Sequence, residues 1–202
     1  HWRPDFPMAH ILPHWNWAGR EGQIIPVHVY TSGTEAELFV NGKSYGRKAK
    51  EEGKDFRLVW DSVVYQPGSV KVIAYKDGKE WAKDEIQTTG KAKKIQLSVD
   101  HASIIGSEDE LAFVTATIVD ASGRKVPTAC LPLKVEVTGC GELVATDNGD
   151  PTSFTPFQSA ERESFNGLAL AIVRGKKGAT GKIQVQVSGA GLESDSTEIE
   201  VK

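Results

Sequence analysis

Short runs of β-branched and aromatic residues, many of them alternating with polar residues, dominate the chain. In the first half they occupy residues 24–30, 35–40, 56–63 and 69–76. Alternation with a period of two is typical of strands that bury one face, and no stretch combines a 3.6-residue apolar period with helix caps. We therefore predict that the residues before about 90 form an all-β domain of about seven short strands.

Two turns in this half are unusually clear. Asn41-Gly42 and Asp77-Gly78 each lie between apolar alternations. A type I′ hairpin requires positive φ at both central residues, which Asn, Asp and Gly tolerate best. We predict tight hairpins at both places, and a further Pro-Gly turn within "YQPGS" at residues 65–69.

The second half repeats the pattern with a more aliphatic composition. Strand-like runs separated by Gly, Asp, Asn and Ser occupy residues 94–100, 110–120, 131–139, 141–146, 167–175, 181–189 and 196–202. Strands at such spacing indicate an immunoglobulin-like sandwich. The predicted fold class is all-β, with two tandem immunoglobulin-like β-sandwich domains.

The composition also indicates where the two domains divide. All five Trp and all four Tyr precede residue 90. The polar, lysine-rich stretch "TTGKAKK" at residues 88–94 has the composition of a linker. We therefore place the first sandwich at 21–90 and the second at 91–202.

Cys130 and Cys140, the two cysteines, flank the predicted strand at 131–139. A strand rises about 3.3 Å per residue, so its two ends lie beyond the reach of a disulfide. We predict two free thiols, which exclude a disulfide scaffold and leave the cellular compartment undecided.

A long polar excursion, "DNGDPTSFTPFQSAERESFNG" at residues 147–167, interrupts the strands of the second half. Loops of this length inside compact domains are usually functional or contact something. Asp147, Asn148 and Asp150 are therefore candidate residues of an interdomain loop. They also resemble the start of a calcium loop, but the further spaced oxygens and the distal Glu are absent. An Asn-Gly turn closed by Pro151 is the favoured interpretation.

The charge balance and the hydropathy exclude several classes of protein. The chain has 24 basic and 27 acidic side chains and a net charge of −3, so no basic excess points to nucleic acid. No apolar run approaches the roughly 20 residues needed to span a bilayer. The chain starts with "HWRPDFP", which has neither an initiator Met nor the pattern of a signal peptide. We interpret it as a fragment or processed form whose N-terminus cannot report the compartment.

No catalytic constellation is apparent in the sequence. Glycoside hydrolysis needs two opposed carboxyl groups, but the acidic residues occur in polar runs typical of solvated surface. Such runs contain Glu51, Glu52, Glu108, Asp109 and Glu110. There is no Gly-x-Ser-x-Gly nucleophile elbow, and neither cysteine has a histidine nearby in the sequence. We predict no catalytic residue and no cofactor in this chain.

Histidine spacing offers a weak metal hypothesis. His10 and His14 are four residues apart, which would place them on one side of a helix, but Pro13 disfavours a helix there. No acidic residue or cysteine completes the three or four ligands that zinc requires. We predict no metal site.

Long motifs in both halves carry a family resemblance. The segment "HILPHWNWAGREGQIIPVHVYTSGTEAELFVNGKSYG" resembles the region that follows the catalytic barrel in bacterial family-2 glycoside hydrolases of the β-galactosidase type. The segments "FVTATIVDASGRKVPTA" and "GELVATDNGDPTSFTPFQSAERESFNGLALAIVR" are similar to the terminal immunoglobulin-like domain of the same enzymes. The resemblance covers nearly the whole chain, in the right order, and identifies it as the C-terminal region of such an enzyme.

The resemblance implies a function for the parent protein and a supporting role for this chain. The parent would hydrolyse terminal β-galactosides, or related β-glycosides, with retention. Its catalytic glutamates would lie on a (β/α)₈ barrel, which is absent here, so no catalytic residue is carried over and the fragment is expected to be inactive. The chain would buttress the barrel, set the mouth of the active-site cleft or mediate oligomer contacts. A periplasmic or secreted parent is expected, and a homo-oligomer is open.

The same resemblance defines a lead-in segment, residues 1–20, as the tail of the missing barrel. Residues 1 to about 13 would run along that barrel and, in a fragment, either fold back on the first sandwich or hang free. If the segment is extended, Trp15 and Trp17 point to opposite sides. We expect Trp17 to be held by the sandwich, while Trp15 and His14 face the barrel or a sugar. The alternative is that both tryptophans pack in the first domain.

Sugar binding by the chain itself depends on exposed aromatic residues. Trp60 alternates with Leu58 and is expected in the core, whereas Trp81 follows a hairpin turn and is a candidate surface aromatic. His14, Trp15 and Trp81 are thus the candidate sugar-facing or barrel-facing residues. Two other classes stay open: a carbohydrate-binding module, which an exposed aromatic platform with polar neighbours would favour, and an extracellular adhesion or spacer protein. A spacer repeat has no use for "PHWNW" at its start.

Overall fold

Sixteen strands joined by turns make up the described part of the chain, residues 3–51, 53–107 and 109–202 of a computed structural model. No helix occurs within these ranges. The chain divides into two compact units, His1–Thr88 and Thr89–Lys202. Each unit has two sheets around its own apolar core. The predicted fold class, all-β with two immunoglobulin-like sandwiches, is confirmed.

The first unit contains seven antiparallel strands in two sheets. The strands are β1 (Ala9–Leu12), β2 (Val27–Thr31), β3 (Glu35–Val40), β4 (Lys43–Ala49), β5 (Leu58–Trp60), β6 (Ser69–Lys76) and β7 (Lys79–Gln87). One sheet has the order β1-β2-β5 and the other the order β4-β3-β6-β7. Strict alternation of buried and half-buried residues along β2, β3 and β6 places one face of each strand in the core.

The two predicted hairpins connect strands of the four-stranded sheet. Asn41 and Gly42 have φ of 51° and 79° between β3 and β4, and Asp77 and Gly78 have φ of 52° and 73° between β6 and β7. Positive φ at both central positions is the backbone requirement of a type I′ turn. The prediction for both turns is therefore confirmed.

The second unit contains nine strands. They are β8 (Lys94–Val99), β9 (Ser103–Ile104), β10 (Leu111–Val119), β11 (Pro132–Gly139), β12 (Gly141–Asp147), β13 (Glu161–Glu163), β14 (Leu168–Gly175), β15 (Gly181–Gly189) and β16 (Asp195–Val201). The sheets have the orders β12-β14-β10-β8 and β13-β11-β15-β16-β9. All pairs are antiparallel except β9 with β16. Cys130 and Cys140, at the two ends of β11, are free thiols as predicted.

The lead-in segment belongs to the first unit. β1 pairs with β2 in the register Ala9 to Thr31 through Leu12 to His28, and Ile11 is buried in the core. Of the two arrangements expected for this segment, folding back on the sandwich is the one observed. His1 and Trp2 lie outside the described residues, as do Glu52 and Glu108 from the predicted solvated runs. In those runs Glu51 and Asp109 are exposed and Glu110 is half-buried.

Candidate functional site

Trp15 is a core residue of the first unit, with only 1% of its surface exposed. Its indole Nε1 donates a hydrogen bond to the carbonyl of Gln66 at 2.9 Å. The ring meets Tyr65 edge to face, with centroids 5.1 Å apart. The Trp15 carbonyl accepts a hydrogen bond from the Thr88 hydroxyl at 2.6 Å. Trp15 thus joins the lead-in segment to Thr88, the last residue of the first unit.

Trp17 is the more exposed of the two tryptophans and lies at the margin of the core. Its ring stacks on His14, with centroids 4.6 Å apart, and its Nε1 donates to the His14 carbonyl at 2.9 Å. The Arg20 guanidinium lies 5.3 Å from the centre of the Trp17 ring. Trp17 is thus half-buried between these local contacts and the margin of the core.

The expectation that Trp15 faces outward is wrong, whereas Trp17 does contact the sandwich: it packs at the margin of the core, and its backbone amide donates to the Tyr65 hydroxyl at 3.2 Å. The hydrogen bond from the Trp17 indole to the carbonyl three residues earlier shows that this stretch is bent rather than extended. Alternation of side chains therefore does not apply here, and Trp15 points inward. The alternative, that both tryptophans pack in the first domain, is closer to the observed arrangement.

Trp81 lies near the start of β7 and is half-buried. Its Nε1 donates to the Ser32 hydroxyl at 2.8 Å, and the Lys76 ammonium lies 4.6 Å from the ring centre. Thr88, the hydroxyl partner of Trp15, lies seven residues further along the chain, a distance of about 23 Å in a strand. Trp15 and Trp81 therefore belong to opposite ends of β7 and form no shared site.

The long loop of the second unit is organised around Arg162, a side chain that is only 3% exposed. All of its hydrogen bonds go to neutral groups of the loop and of β12. Nε donates to the Thr146 hydroxyl at 3.0 Å, and Nη2 donates to the carbonyls of Thr146 and Pro156, both at 2.8 Å. Nη1 donates to the carbonyl of Thr155 at 3.0 Å and, at 3.4 Å, to the hydroxyl of Ser153.

Sequence reasoning missed Arg162 because an arginine within "SAERES" is indistinguishable from a solvated one. The contacts converge on the segment 153–156, so one buried guanidinium fixes a stretch with no regular strand. The five N–H donors of arginine lie in a fixed plane, which suits several carbonyls at once. Only the three-dimensional arrangement reveals this role.

The predicted candidate residues at the start of the loop, Asp147, Asn148 and Asp150, accept hydrogen bonds from backbone amides one or two residues further along the chain. Asp147 accepts from the amides of Asn148 and Gly149, and Asn148 accepts from the amide of Asp150. Asp150 accepts from the amide and hydroxyl of Thr152. Within the described ranges no group of three or more His, Cys, Asp or Glu is arranged to hold a metal ion. The interdomain role of Asp147, Asn148 and Asp150 stays a prediction.

An open groove of about 580 Å³, with mixed polar and apolar walls, lies beside this loop. The groove is lined by β13, the start of β11, the end of β15 and the loop. The lining residues include Lys134, Thr155, Ser159, Glu161, Glu163 and Ser188. Phe154, next to Thr155, is 99% exposed, and Phe157 is also exposed. The loop thus exposes two aromatic rings, neither of which lines the groove itself.

Asp120 is a second buried polar group of this unit. Its carboxylate accepts hydrogen bonds from the amides of Gly90 at 2.9 Å, Arg124 at 3.0 Å and Ser122 at 2.9 Å. The amides of Gly90 and Arg124 lead the interactions that hold the pKa of the Asp120 carboxyl below its ordinary value. Asp120 therefore fixes the turn after β10 to the first residues of the unit.

No segment within the described ranges forms a helix that is long and apolar enough to cross a membrane.

The sandwiches and their motifs define the chain as part of a carbohydrate-active enzyme family. Residues 95–198 match the family "Glycoside hydrolase family 2 C-terminal domain 5", which covers more than half of the chain. Residues 22–82 match a "Domain of unknown function (DUF4982)". The chain belongs to the C-terminal domains of glycoside hydrolase family 2, and the resemblance predicted from the sequence is confirmed.

Individual relatives agree with this assignment. The chain is 36% identical over 189 residues to "Beta-galactosidase BoGH2A" of Bacteroides ovatus, covering 93% of this chain and 22% of the relative. A solved β-glycosidase from Bacteroides vulgatus has a TM-score of 0.90 at 33% identity, over 96% of this chain and 25% of its own. A family-2 glycosyl hydrolase from Bacteroides cellulosilyticus has a TM-score of 0.90 at 28% identity, over 98% and 29%. The chain thus spans between a fifth and a third of the length of these proteins.

Proposed function

We propose that the two sandwiches are non-catalytic accessory domains of a β-galactosidase-like glycoside hydrolase, and that they support its catalytic domain. The observation that carries this proposal is the attachment of the lead-in segment to the first unit. A module that rides on a free linker would leave such a segment loose. Here the segment forms a strand and buries Ile11 and Trp15.

Hydrogen bonds from three side chains fix the earlier part of the segment. The Thr31 hydroxyl donates to the Met8 carbonyl and the Ser32 hydroxyl to the Phe6 carbonyl, both at 2.6 Å. The Lys76 ammonium donates to the Pro4 carbonyl, also at 2.6 Å. The chain therefore has no unattached stretch between residue 4 and the first sandwich, and motion of the sandwich would be transmitted directly to whatever precedes it.

The carboxylates of the described residues support a non-catalytic role. Many of them form surface ion pairs, as Glu142 does with Arg174 at 2.6 Å and Glu198 with Lys182 at 2.6 Å. Others accept backbone amides, as Asp120 and Asp147 do. A retaining glycosidase requires an opposed pair of unpaired carboxyls about 5–5.5 Å apart across a substrate. We therefore propose that hydrolysis of β-galactosides belongs to the rest of the parent polypeptide.

A linker insertion in the parent enzyme tests the proposal. Six Gly-Ser residues inserted between residues 3 and 4 would uncouple the sandwiches from what precedes them. The expected result is a lower melting temperature of the catalytic part and lower activity on a chromogenic β-galactoside. The same insertion after Gly178, in an exposed turn of the second unit, is the control. Unchanged stability and activity after the first insertion would contradict the proposal.

Carbohydrate binding is a second candidate function, which is favoured by the exposed Phe154, the neighbour in sequence of the groove residue Thr155. An aromatic face can stack on a pyranose ring, while neighbouring carboxylates and hydroxyls bind its hydroxyl groups. Titration of this chain with lactose, followed by NMR, should then perturb residues of the groove. Phe154→Ala should abolish the perturbation, while Phe113→Ala, at another exposed phenylalanine, should preserve it. Identical titrations of both variants and of the unmodified chain would refute this function.

Homo-oligomer contacts and a periplasmic or secreted location stay predictions for the parent.

A further inference from the structure

Part of the outward face of the β1-β2-β5 sheet is apolar, while the row at the entry end of β1 carries His10 and Tyr30. Alternation along β2 places Val27 and Val29 in the core and His28 outside. Leu12 on β1 and Val59 on β5 lie directly across from His28, so the three side chains form one row of the outer face. Leu12 is 42% exposed. The row therefore presents aliphatic side chains on both flanks of an imidazole.

A second apolar row extends the same face. Ile24 and Val64 pair in an antiparallel bridge just beyond the ends of β2 and β5. Their neighbours Ile25 and Val63 are buried, so Ile24 and Val64 point outward, where they are 56% and 38% exposed. Neither row contains a charged side chain. We call these five residues, Leu12, Ile24, His28, Val59 and Val64, the outer apolar face.

The outer surface of the other sheet in the same unit is different. There Glu35 pairs with Arg47 at 2.6 Å, and the Arg47 guanidinium lies 3.7 Å from the centre of the Tyr75 ring. Lys71 lies across from Glu85. An antiparallel sheet with one solvated face normally carries such polar residues on that face. The outer apolar face departs from this rule within one sandwich.

His28 supplies an independent observation. Its Nδ1 is shielded from solvent and has no hydrogen-bond partner among the described residues. A buried polar atom without a partner is uncommon because its loss of water is not compensated. His28 therefore does not present Nδ1 to solvent as a polar group on this face.

We infer that the outer apolar face is the docking surface for the part of the parent polypeptide that precedes this chain. The inference rests on the proposed function. The matched relatives are three to five times longer than this chain, and the family match assigns it to their C-terminal region. β1, the strand by which the chain enters the first unit, forms the edge of the face and contributes Leu12 to it. The preceding polypeptide therefore reaches this sheet at the Ala9 end of β1, where Lys76 and Ser32 hold residues 4 and 6. An uncharged apolar surface on the same sheet suits a permanent contact.

Side-chain footprinting tests the inference, since hydroxyl radicals label exposed aliphatic residues. Each unit has its own core, so the isolated chain serves as the uncovered reference. Labelling of Leu12, Ile24 and Val64 should fall about tenfold in the parent enzyme relative to the isolated chain. Equal labelling in both proteins would overturn the inference. Protection in the isolated chain that grows with its concentration would also overturn it, because a second copy would then be the occupant.

A pair of matched variants provides a second measurement. Ile24→Lys places a charge on the outer apolar face, whereas Ile105→Lys changes an equally exposed isoleucine in the second unit. Ile24→Lys should leave the melting temperature of the isolated chain unchanged and lower that of the parent, while Ile105→Lys should lower neither. A parent unaffected by Ile24→Lys would overturn the choice of face. The linker insertion described above would still report independently on the accessory role.

Discussion

In each unit one large buried side chain helps to order a stretch outside the strands, but the two side chains differ in chemistry. In the first unit Trp15 holds the lead-in segment by apolar contact, an edge-to-face ring pair and one indole hydrogen bond. In the second unit Arg162 holds residues 153–156 by hydrogen bonds to neutral oxygens. The comparison separates two ways in which one side chain can order residues that lie outside the strands.

The two solutions differ in what they tolerate. Burial of an indole stabilises the folded protein in proportion to the apolar area removed from water. Another large aromatic side chain at the same position would therefore retain part of that stabilisation. Burial of a guanidinium removes a charge from water, which is unfavourable unless every donor is hydrogen-bonded. The Arg162 site should therefore depend on the geometry of the side chain, whereas the Trp15 site should depend on its volume.

The largest effect is expected at Trp15. Trp15→Ala should lower the free energy of unfolding of the first unit by about 3–5 kcal/mol, as truncation of a buried aromatic does. Trp15→Phe should recover a large part of that loss. Urea unfolding followed by far-UV circular dichroism measures both variants. Trp17→Ala is the control and should have a clearly smaller effect, because Trp17 lies at the margin of the core. Equal losses of unfolding free energy in Trp15→Ala and Trp17→Ala would show that packing at the margin stabilises the unit as much as packing in the core.

Arg162 should show the next largest effect, in the second unit. Arg162→Lys retains the charge but cannot reach five acceptors, and the orphaned oxygens should lower the free energy of unfolding by about 3 kcal/mol. Because the loop carries Phe154 and Phe157, native-state chymotrypsin cleavage there should accelerate. Arg174→Lys, at an exposed arginine paired with Glu142, is the matched control. A cleavage rate that is the same in both variants would indicate that Arg162 does not order the loop.

These two sites also mark the limits of prediction from sequence. Alternation, the hairpin turns and the division in composition were sufficient for the all-β class, because each depends on neighbouring residues. The inward position of Trp15 depends on a bend within residues 13–17, and the role of Arg162 depends on acceptors 6 to 16 residues away. The strand Ala9–Leu12 was missed because its pairing with β2 spans some twenty residues and its own four residues carry little alternation.

The predicted outward orientation of Trp15 fails for the same physical reason, because it assumed an extended segment. His14 and Trp81 stay candidate sugar-facing or barrel-facing residues. The outer apolar face is the converse case. Its residues Leu12, Ile24 and Val64 are unremarkable in the sequence, and only strand register places them on one surface.

A buried carboxylate extends the comparison to pH. The pKa of Asp120 is lower in the folded protein than in the unfolded chain because backbone amides stabilise the ionised form. Such a group contributes stability above its unfolded pKa of about 3.9 and loses it as pH falls through the folded pKa. The second unit should therefore lose stability below about pH 4.

Asp120→Asn should lower the free energy of unfolding by about 2 kcal/mol at neutral pH, because the side-chain carboxamide of asparagine cannot accept hydrogen bonds from all three backbone amides. The same variant should flatten the decline of stability with falling pH. Asp109→Asn, an exposed substitution in the same unit, controls for the loss of one negative charge. An acid slope that is unchanged by Asp120→Asn would contradict the assignment.

The smallest effect is expected where the sequence was most informative, at Gly42 and Gly78. A side chain added at either glycine would meet no atom within 4 Å, so the cost of a substitution there is confined to the backbone. Valine at φ of 79° or 73° is a strained outlier, and each Gly→Val change should cost about 1 kcal/mol. For a unit of this size that corresponds to a fall in melting temperature of about 4–8 °C.

Gly42→Asn and Gly78→Asn are the matched controls, because asparagine adopts positive φ with less strain. If the valine variants melt at the same temperature as the asparagine variants, the hairpins do not depend on positive φ and the type I′ interpretation is wrong.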